Sequence, residues 1–168
     1  MTLDNSGNLL IGYTSSNGSY KLQVNSQIFA TSSTIATSDA NYKTNVNSLV
    51  NALQLVNKLN PVSFNWKKHK THNFDTENVT VGFIAQEVRE ALSETNFVNS
   101  IVKESICTIT QEIKDENNNV ITPAVTESFL GIAEGNMISI LTKAIQELSA
   151  KVTALEAKVA ALQAKVGA

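Results

Sequence analysis

Residues 138–166 place an apolar side chain at every third or fourth position without a break: Ile138, Leu141, Ile145, Leu148, Val152, Leu155, Val159, Leu162 and Val166. That is the seven-residue period of a coiled coil, with Ile138, Ile145, Val152, Val159 and Val166 at a and Leu141, Leu148, Leu155 and Leu162 at d. No other feature constrains the fold as much. A lone helix cannot bury a seam of more than four heptads, so the pattern demands copies of itself. Lys151, Lys158 and Lys165 at g face Glu156 or Gln163 at e of a neighbour, which argues for parallel strands. β-Branched residues at a with Leu at d lean towards two strands.

The chain ahead of the coil changes character twice. Residues 1–37 are rich in Ser, Thr, Asn and Gly, with short apolar runs at Leu9-Leu10-Ile11, Tyr20-Lys21-Leu22-Gln23-Val24 and Ile28-Phe29-Ala30. These predict brief β-strands separated by turns such as Asn17-Gly18. Three such strands bury too little surface to fold alone, so the segment is expected to lean on copies of itself or on a longer structure ahead of it, as the end of a fibre would. After Lys43, Val46, Leu49, Val50, Leu53, Leu55, Val56 and Leu59 recur at helical spacing until Asn60-Pro61, which predicts one amphipathic helix. Val62-Ser63-Phe64-Asn65-Trp66 alternates as a strand and runs into a polar loop, Lys67 to Asn73. A second strand through Gly82 passes into a helix near Ala85, with Gln86 and Glu87 on its first turn, where the helix dipole favours an acid. Alternation from Val98 to Val125, interrupted by Asp115-Glu116-Asn117-Asn118-Asn119, predicts a β-hairpin.

Several classes of function are disfavoured by what the chain contains. Its 168 residues carry a net charge of −2, and Arg89 is the only arginine, so no basic groove for nucleic acid is expected. There is no run of about eighteen apolar residues and no leader-like start, so no membrane partner is expected. Cys107 is the single cysteine and reads as a half-buried strand residue. His69 and His72 stand three apart among lysines, whereas a cation site wants neutral imidazoles and preferably a carboxylate. Neither a metal nor a cofactor is expected.

At the junction of the first two segments, Thr37-Ser38-Asp39-Ala40-Asn41-Tyr42-Lys43 sets a hydroxyl and an amine five residues apart. A serine becomes a nucleophile when a base takes its proton, and a lysine is such a base once burial or positive charge lowers its pKa. Taken by itself the pair reads as a turn with a solvated Lys43 and with Ser38 or Asp39 capping the next segment.

Four ordered motifs change that reading: Ser38-Asp39-Ala40-Asn41-Tyr42-Lys43-Thr44-Asn45-Val46, Leu59-Asn60-Pro61-Val62-Ser63-Phe64-Asn65-Trp66-Lys67, Gly82-Phe83-Ile84-Ala85-Gln86-Glu87-Val88 and Lys143-Ala144-Ile145-Gln146-Glu147-Leu148. Together they resemble the intramolecular chaperone domain of phage tail spikes and fibres, the S74 peptidase family of the endosialidase C-terminal type, over roughly residues 36–150. The resemblance implies a C-terminal homotrimer that directs folding of the β-rich fibre ahead of it and then cuts itself off. It implies Ser38 as catalytic serine, Lys43 as its base and Ser38-Asp39 as the cleavage junction. It also implies a tail-fibre or spike precursor made in the host cytoplasm, with the chaperone part released from the mature virion. Asn41-Tyr42 depart from the family's usual Arg or Glu followed by Leu, and Tyr42 is bulky enough to affect the burial of Lys43.

The chemistry of the bond leaves two junctions open. Ser38 Oγ attacking its own carbonyl would close a four-membered ring, whereas an N-to-O acyl shift uses a five-membered ring and breaks Thr37-Ser38. Cleavage at Ser38-Asp39 therefore needs a serine or an activated water from another direction. The expected architecture is α+β: a β-fibre end over residues 1–37, a small globular chaperone domain with a β-hairpin over 38–130 and a trimeric coiled coil over 131–168. Two rivals remain. One is an uncleaved structural trimerisation and attachment module; the other is a receptor-binding tip, which would expose an aromatic patch where Phe64, Trp66 and Phe83 occupy core-like positions.

Overall fold

A computed structural model describes residues 1–32 and 34–167. They fall into two compact units that interleave along the chain: unit 1 comprises Met1–Ser38, Pro61–Gly82 and Lys103–Gly131, and unit 2 comprises Asp39–Asn60, Phe83–Val102 and Ile132–Ala168. The architecture is α+β, as the sequence predicts.

Unit 1 begins with a three-stranded sheet, β1 (Thr2–Leu3), β2 (Leu9–Ile11) and β3 (Leu22–Val24), in the order β1-β2-β3. β1 runs antiparallel to β2, and β3 parallel to it, with Leu10 opposite Gln23. Leu10 is buried, but so are Asn8, Asn17 and Gln23, and this polar interior is cross-linked by side chains. Gln23 Oε1 accepts from the Asn17 N–H at 2.6 Å, and Gln23 Nε2 donates to Ser16 Oγ and to the Tyr20 carbonyl, both at 2.8 Å. Residues 28–30 form no strand, and Phe29 is 91% exposed. The sheet draws support from within its own chain. Gly18 N–H donates to the Ile106 carbonyl at 3.0 Å, and the Ser105 hydroxyl donates to Tyr20 Oη at 3.1 Å.

The remaining strands, which apart from the end residues Phe83, Val102 and Ile132 belong to unit 1, pair two by two: β4 (Pro61–Phe64) with β5 (Thr80–Phe83), β6 (Val102–Thr110) with β9 (Val125–Ile132), and β7 (Ile113–Lys114) with β8 (Val120–Thr122). The expected hairpin is thus present, though Ile101 lies in a helix and not in its first strand. Cys107 is fully buried on β6. Trp66 stacks on Phe74 (4.3 Å, 8°), Phe74 on His72 (5.3 Å, 9°), and Phe64 meets Trp66 edge-on at 5.1 Å. Trp66 keeps 40% of its surface exposed in spite of this stack, so it is less buried than its alternating position predicts.

Two loops of unit 1 share one construction. Asp4 Oδ1 accepts from the N–H groups of Ser6 (2.9 Å) and Asn8 (2.8 Å), and Oδ2 from Asn8 Nδ2 (2.9 Å). Asp115 does the same with Asn117 (2.9 Å), Asn119 (2.8 Å) and Asn119 Nδ2 (3.0 Å). The residue three places after each aspartate has positive φ, Gly7 at 72° and Asn118 at 67°. Glycine and asparagine are the residues that enter this region at least cost.

Unit 2 is helical. A single 3-10 turn (Ala40–Tyr42) precedes α1 (Ala52–Val56), α2 (Ala85–Ala91), α3 (Val98–Ile101) and α4 (Glu134–Val166). Its interior is aliphatic: Ala52, Val88, Leu92, Ile101, Met137, Ile140 and Ala144 are all buried. The long helix expected over residues 46–59 is reduced to five residues. Asn45 (φ 53°) and Asn51 (φ 58°) both adopt the left-handed region, which an α-helix cannot contain, and Val46 and Val50 are exposed. So short a helix cannot hold itself; α1 stands because it packs on α4.

Candidate functional site

The Ser38-to-Lys43 segment is built from a capped turn. Asp39 has extended backbone (φ −67°, ψ 136°), and its Oδ1 accepts from the Asn41 N–H at 2.8 Å. The Lys43 N–H closes the turn on the Ala40 carbonyl at 3.0 Å, and Lys43 itself returns to extended geometry (φ −120°, ψ 139°). The capping role that the sequence allows for Ser38 or Asp39 therefore falls to Asp39. Ser38 closes the first stretch of unit 1 and Asp39 opens unit 2. Ser38, Tyr42 and Lys43 are all exposed, Tyr42 at 81%, so within the single chain its ring does not bury the lysine.

Two of the four sequence motifs meet further along unit 2, and a third reaches α1. Asn60 Nδ2 donates to Glu87 Oε2 at 3.1 Å, joining Leu59-Asn60-Pro61 to the first turn of α2. Glu87 thus has a specific partner in addition to the helix-dipole preference its position suggests. Glu147, on α4, accepts from the N–H of Leu53 at 2.9 Å and of Ala52 at 3.3 Å. α1 lacks a side-chain cap of its own, because Asn51 at its N-cap makes no such bond. A carboxylate about a hundred residues away in sequence supplies it. The Leu53 N–H, above all, holds the Glu147 carboxyl below the ordinary carboxylate range, joined by the Ala52 N–H and the nearby Lys143 charge and opposed by desolvation. No spacing rule could have found this contact, since the cap and the helix it serves lie far apart in the chain.

α4 has two apolar faces. Met137, Ile140 and Ala144, at steps of three and four, face inward and are 4–5% exposed. The heptad seam lies on a different face: Ile138 is 65% exposed, Ile145 66%, Leu155 59% and Leu162 60%. The helix is about 50 Å long at 1.5 Å per residue, and residues 148–166 are exposed all round. The single chain thus leaves an apolar stripe of that length open to water.

The histidines lie in unit 1, close together. His69 Nδ1 and His72 Nδ1 are 2.9 Å apart, and His69 Nε2 lies 3.2 Å from Glu127 Oε2. Burial, chiefly, pushes the His72 imidazole below its ordinary pKa, with the neighbouring His69 acting the same way and Glu127 opposing. Among the described residues no group of three or more His, Cys, Asp or Glu side chains is placed to hold a metal ion. No helix among them is long and apolar enough to cross a membrane.

Compared with known families, residues 38–96 match the model of the peptidase S74 family, described as the chaperone of endosialidase. The match opens on Ser38 and takes in the first three of the four motifs. None of the curated proteins compared matches the chain.

Proposed function

We propose that this chain, with residues 38–96 matching the chaperone of endosialidase, is the C-terminal intramolecular chaperone of a phage tail fibre or spike. In this reading residues 1–37 end the fibre, 38–130 form the chaperone and autoprotease domain, and 131–168 form a coil that joins three copies. The client is the β-rich fibre of the same chain. Intertwined strands need several chains in register before any contact offsets the loop-closure entropy, and a trimerising tag supplies both proximity and register. The module then cuts itself away once, from a precursor made in the host cytoplasm, and leaves the virion without it. A fibre that has lost its tag persists by its unfolding barrier.

The observation that carries this reading is the family match that begins at Ser38. In the reaction, a Ser38 hydroxyl attacks the Ser38 carbonyl carbon while Lys43 Nζ takes the hydroxyl proton. The proton passes to the departing Asp39 nitrogen, and water then hydrolyses the ester. Ring strain forbids attack by the same residue, so the hydroxyl comes from another copy, or an activated water takes its place. Lys43 is exposed in the single chain, and an amine serves as a base only when desolvated or next to positive charge. Assembly of the trimer is therefore the step that would complete the site.

Intact mass and N-terminal sequencing of the purified, denatured chain test the reading. A new terminus at Asp39 is expected; one at Ser38 would assign the break to Thr37-Ser38 and an acyl shift, and an uncut chain would remove the protease assignment. Lys43→Arg should abolish cleavage and leave the sedimentation of the trimer unchanged, because arginine keeps the charge but stays protonated. The rival, an uncleaved trimerisation and attachment module, draws on the exposure of Ser38 and Lys43. It requires wild type and Lys43→Arg to give the same single band.

A further inference from the structure

The connection between β4 and β5 carries both histidines of the chain. It turns so that His69 and His72 present their Nδ1 atoms to each other at 2.9 Å, with the rings edge to face at 4.6 Å. Thr71 Oγ1 lies 3.2 Å from His69 Nδ1 and 3.0 Å from His72 Nδ1, so three donor atoms form a small triangle. Behind His69, Glu127 Oε2 on β9 lies 3.2 Å from Nε2. A carboxylate there holds the ring proton on Nε2 and leaves the Nδ1 lone pair facing the triangle. The Thr71 N–H, which donates to His69 Nδ1 at 3.2 Å, requires that same tautomer.

The geometry points to a two-histidine site for a borderline divalent transition ion of the zinc, nickel or copper class, ligated by His69 Nδ1 and His72 Nδ1 and held in shape by Glu127. Two nitrogens each about 2.0–2.1 Å from one ion stand about 2.9 Å apart at a right angle and about 3.4 Å apart at the tetrahedral angle. The observed 2.9 Å lies at the first value and a small ring rotation from the second. In place of the ion, the pair is joined by a proton on His72 Nδ1; on binding, that proton moves to His72 Nε2 and the long Thr71 N–H bond is given up. Water and the Thr71 hydroxyl are available for the remaining positions.

The sequence argues against this site on two grounds, the adjoining lysines and the missing carboxylate. Folding answers both. Lys67, Lys68 and Lys70 are exposed, while His69, Thr71 and His72 are half-buried. The carboxylate comes from Glu127, fifty-eight residues away from His69. The positive potential of the lysines opposes every divalent ion alike, and the imidazole nitrogens select a borderline ion over the oxygen-seeking Mg2+ and Ca2+. Glu127 is a positioning residue, since it reaches the metal only through His69.

Titration of the tag-free full chain with Zn2+ alone, by calorimetry near pH 7.5, tests the assignment cleanly. The chain has only these two histidines, and its one cysteine is buried. One equivalent per chain is expected, with affinity reduced at least about tenfold by His72→Ala and about tenfold by Glu127→Gln. The histidine ring proton signals of both residues should move together on Zn2+ addition, and Mg2+ should move neither. No uptake by the wild-type chain at about 1 mM Zn2+, or uptake equally strong in His72→Ala, overturns the site. Should His72→Ala fail to fold for want of its stack on Phe74, Glu127→Gln decides it: that variant keeps both ligands, and unchanged affinity with unmoved ring signals would refute the site.

Discussion

Unit 1 and unit 2 are held together by different chemistry. Unit 1 uses short-range side-chain bonds to its own backbone, at Asp4, Asp115 and Gln23, together with a stack of aromatic rings. Unit 2 uses aliphatic burial between helices and leaves a second apolar face of α4 exposed. The contrast shows how stability is distributed: many local locks, each replaceable, in one unit, and a few shared contacts in the other. It also separates two roles of one helix. Met137, Ile140 and Ala144 make the fold, whereas Leu148, Leu155 and their neighbours stay exposed in the single chain and, in the proposed assembly, would be covered by other copies.

The largest effect should come from the spare face. Aspartate at both Leu148 and Leu155 would bury unpaired charges in every subunit of a coil, at about 3–5 kcal/mol each, and the assembly should become monomeric by light scattering. Circular dichroism should still report unit 2 helices, because neither leucine belongs to its interior. If the double variant stays uncut while the wild type cleaves, assembly controls cleavage; a monomer that cuts itself at the wild-type rate would break that link.

Ile140→Ala probes the buried face of the same helix. Ile140 is 5% exposed, and loss of its side chain from the interior should cost about 2–5 kcal/mol in denaturant unfolding. Equal damage from the seam and the interior variants to the monomer would erase the distinction between the two faces.

A smaller effect belongs to unit 1. Gly7 has φ 72°, with open space where a Cβ would stand, so Gly7→Ala carries only the backbone penalty of about 1–2 kcal/mol. Gly7→Asn should be close to neutral, since Asn118 already occupies the same place in the matching loop. Thermal melts of the two variants check the shared construction: asparagine as harmful as alanine would show that the loops differ.

The smallest expected effect is on acid stability. Asp4 and Asp115, each held down first by bonds from its Asn partner, and Glu147, held down first by the Leu53 N–H, all have folded pKa values below the ordinary carboxylate range. A depressed folded value means that the stabilisation is complete above the unfolded carboxylate pKa and is lost as pH falls through the folded one. Glu147→Gln should flatten part of the acid limb of a stability–pH curve and loosen α1, seen as faster proteolysis around residues 45–60. An acid limb identical to the wild type's would mean that the α1 cap contributes nothing.

Whatever depends on a period or on a few neighbouring residues was legible in the sequence. The seam from Ile138 to Val166, the strand and helix on either side of Ile84, the polar turn at Asp115 and the four ordered motifs are all of this kind, because side-chain direction and turn geometry follow from spacing. The shortening of α1, its cap by Glu147, the pairing of Asn60 with Glu87 and the meeting of His69 with His72 beside Glu127 were decided by tertiary structure. The contacts of Glu147, of Asn60 with Glu87 and of Glu127 join groups whose separation in the chain carries no pattern. The left-handed turns at Asn45 and Asn51 override a helical spacing that by itself looked sufficient. A short helix gains too little from its own hydrogen bonds to choose its ends, so the burial of Ala52 and the carboxylate of Glu147 choose them.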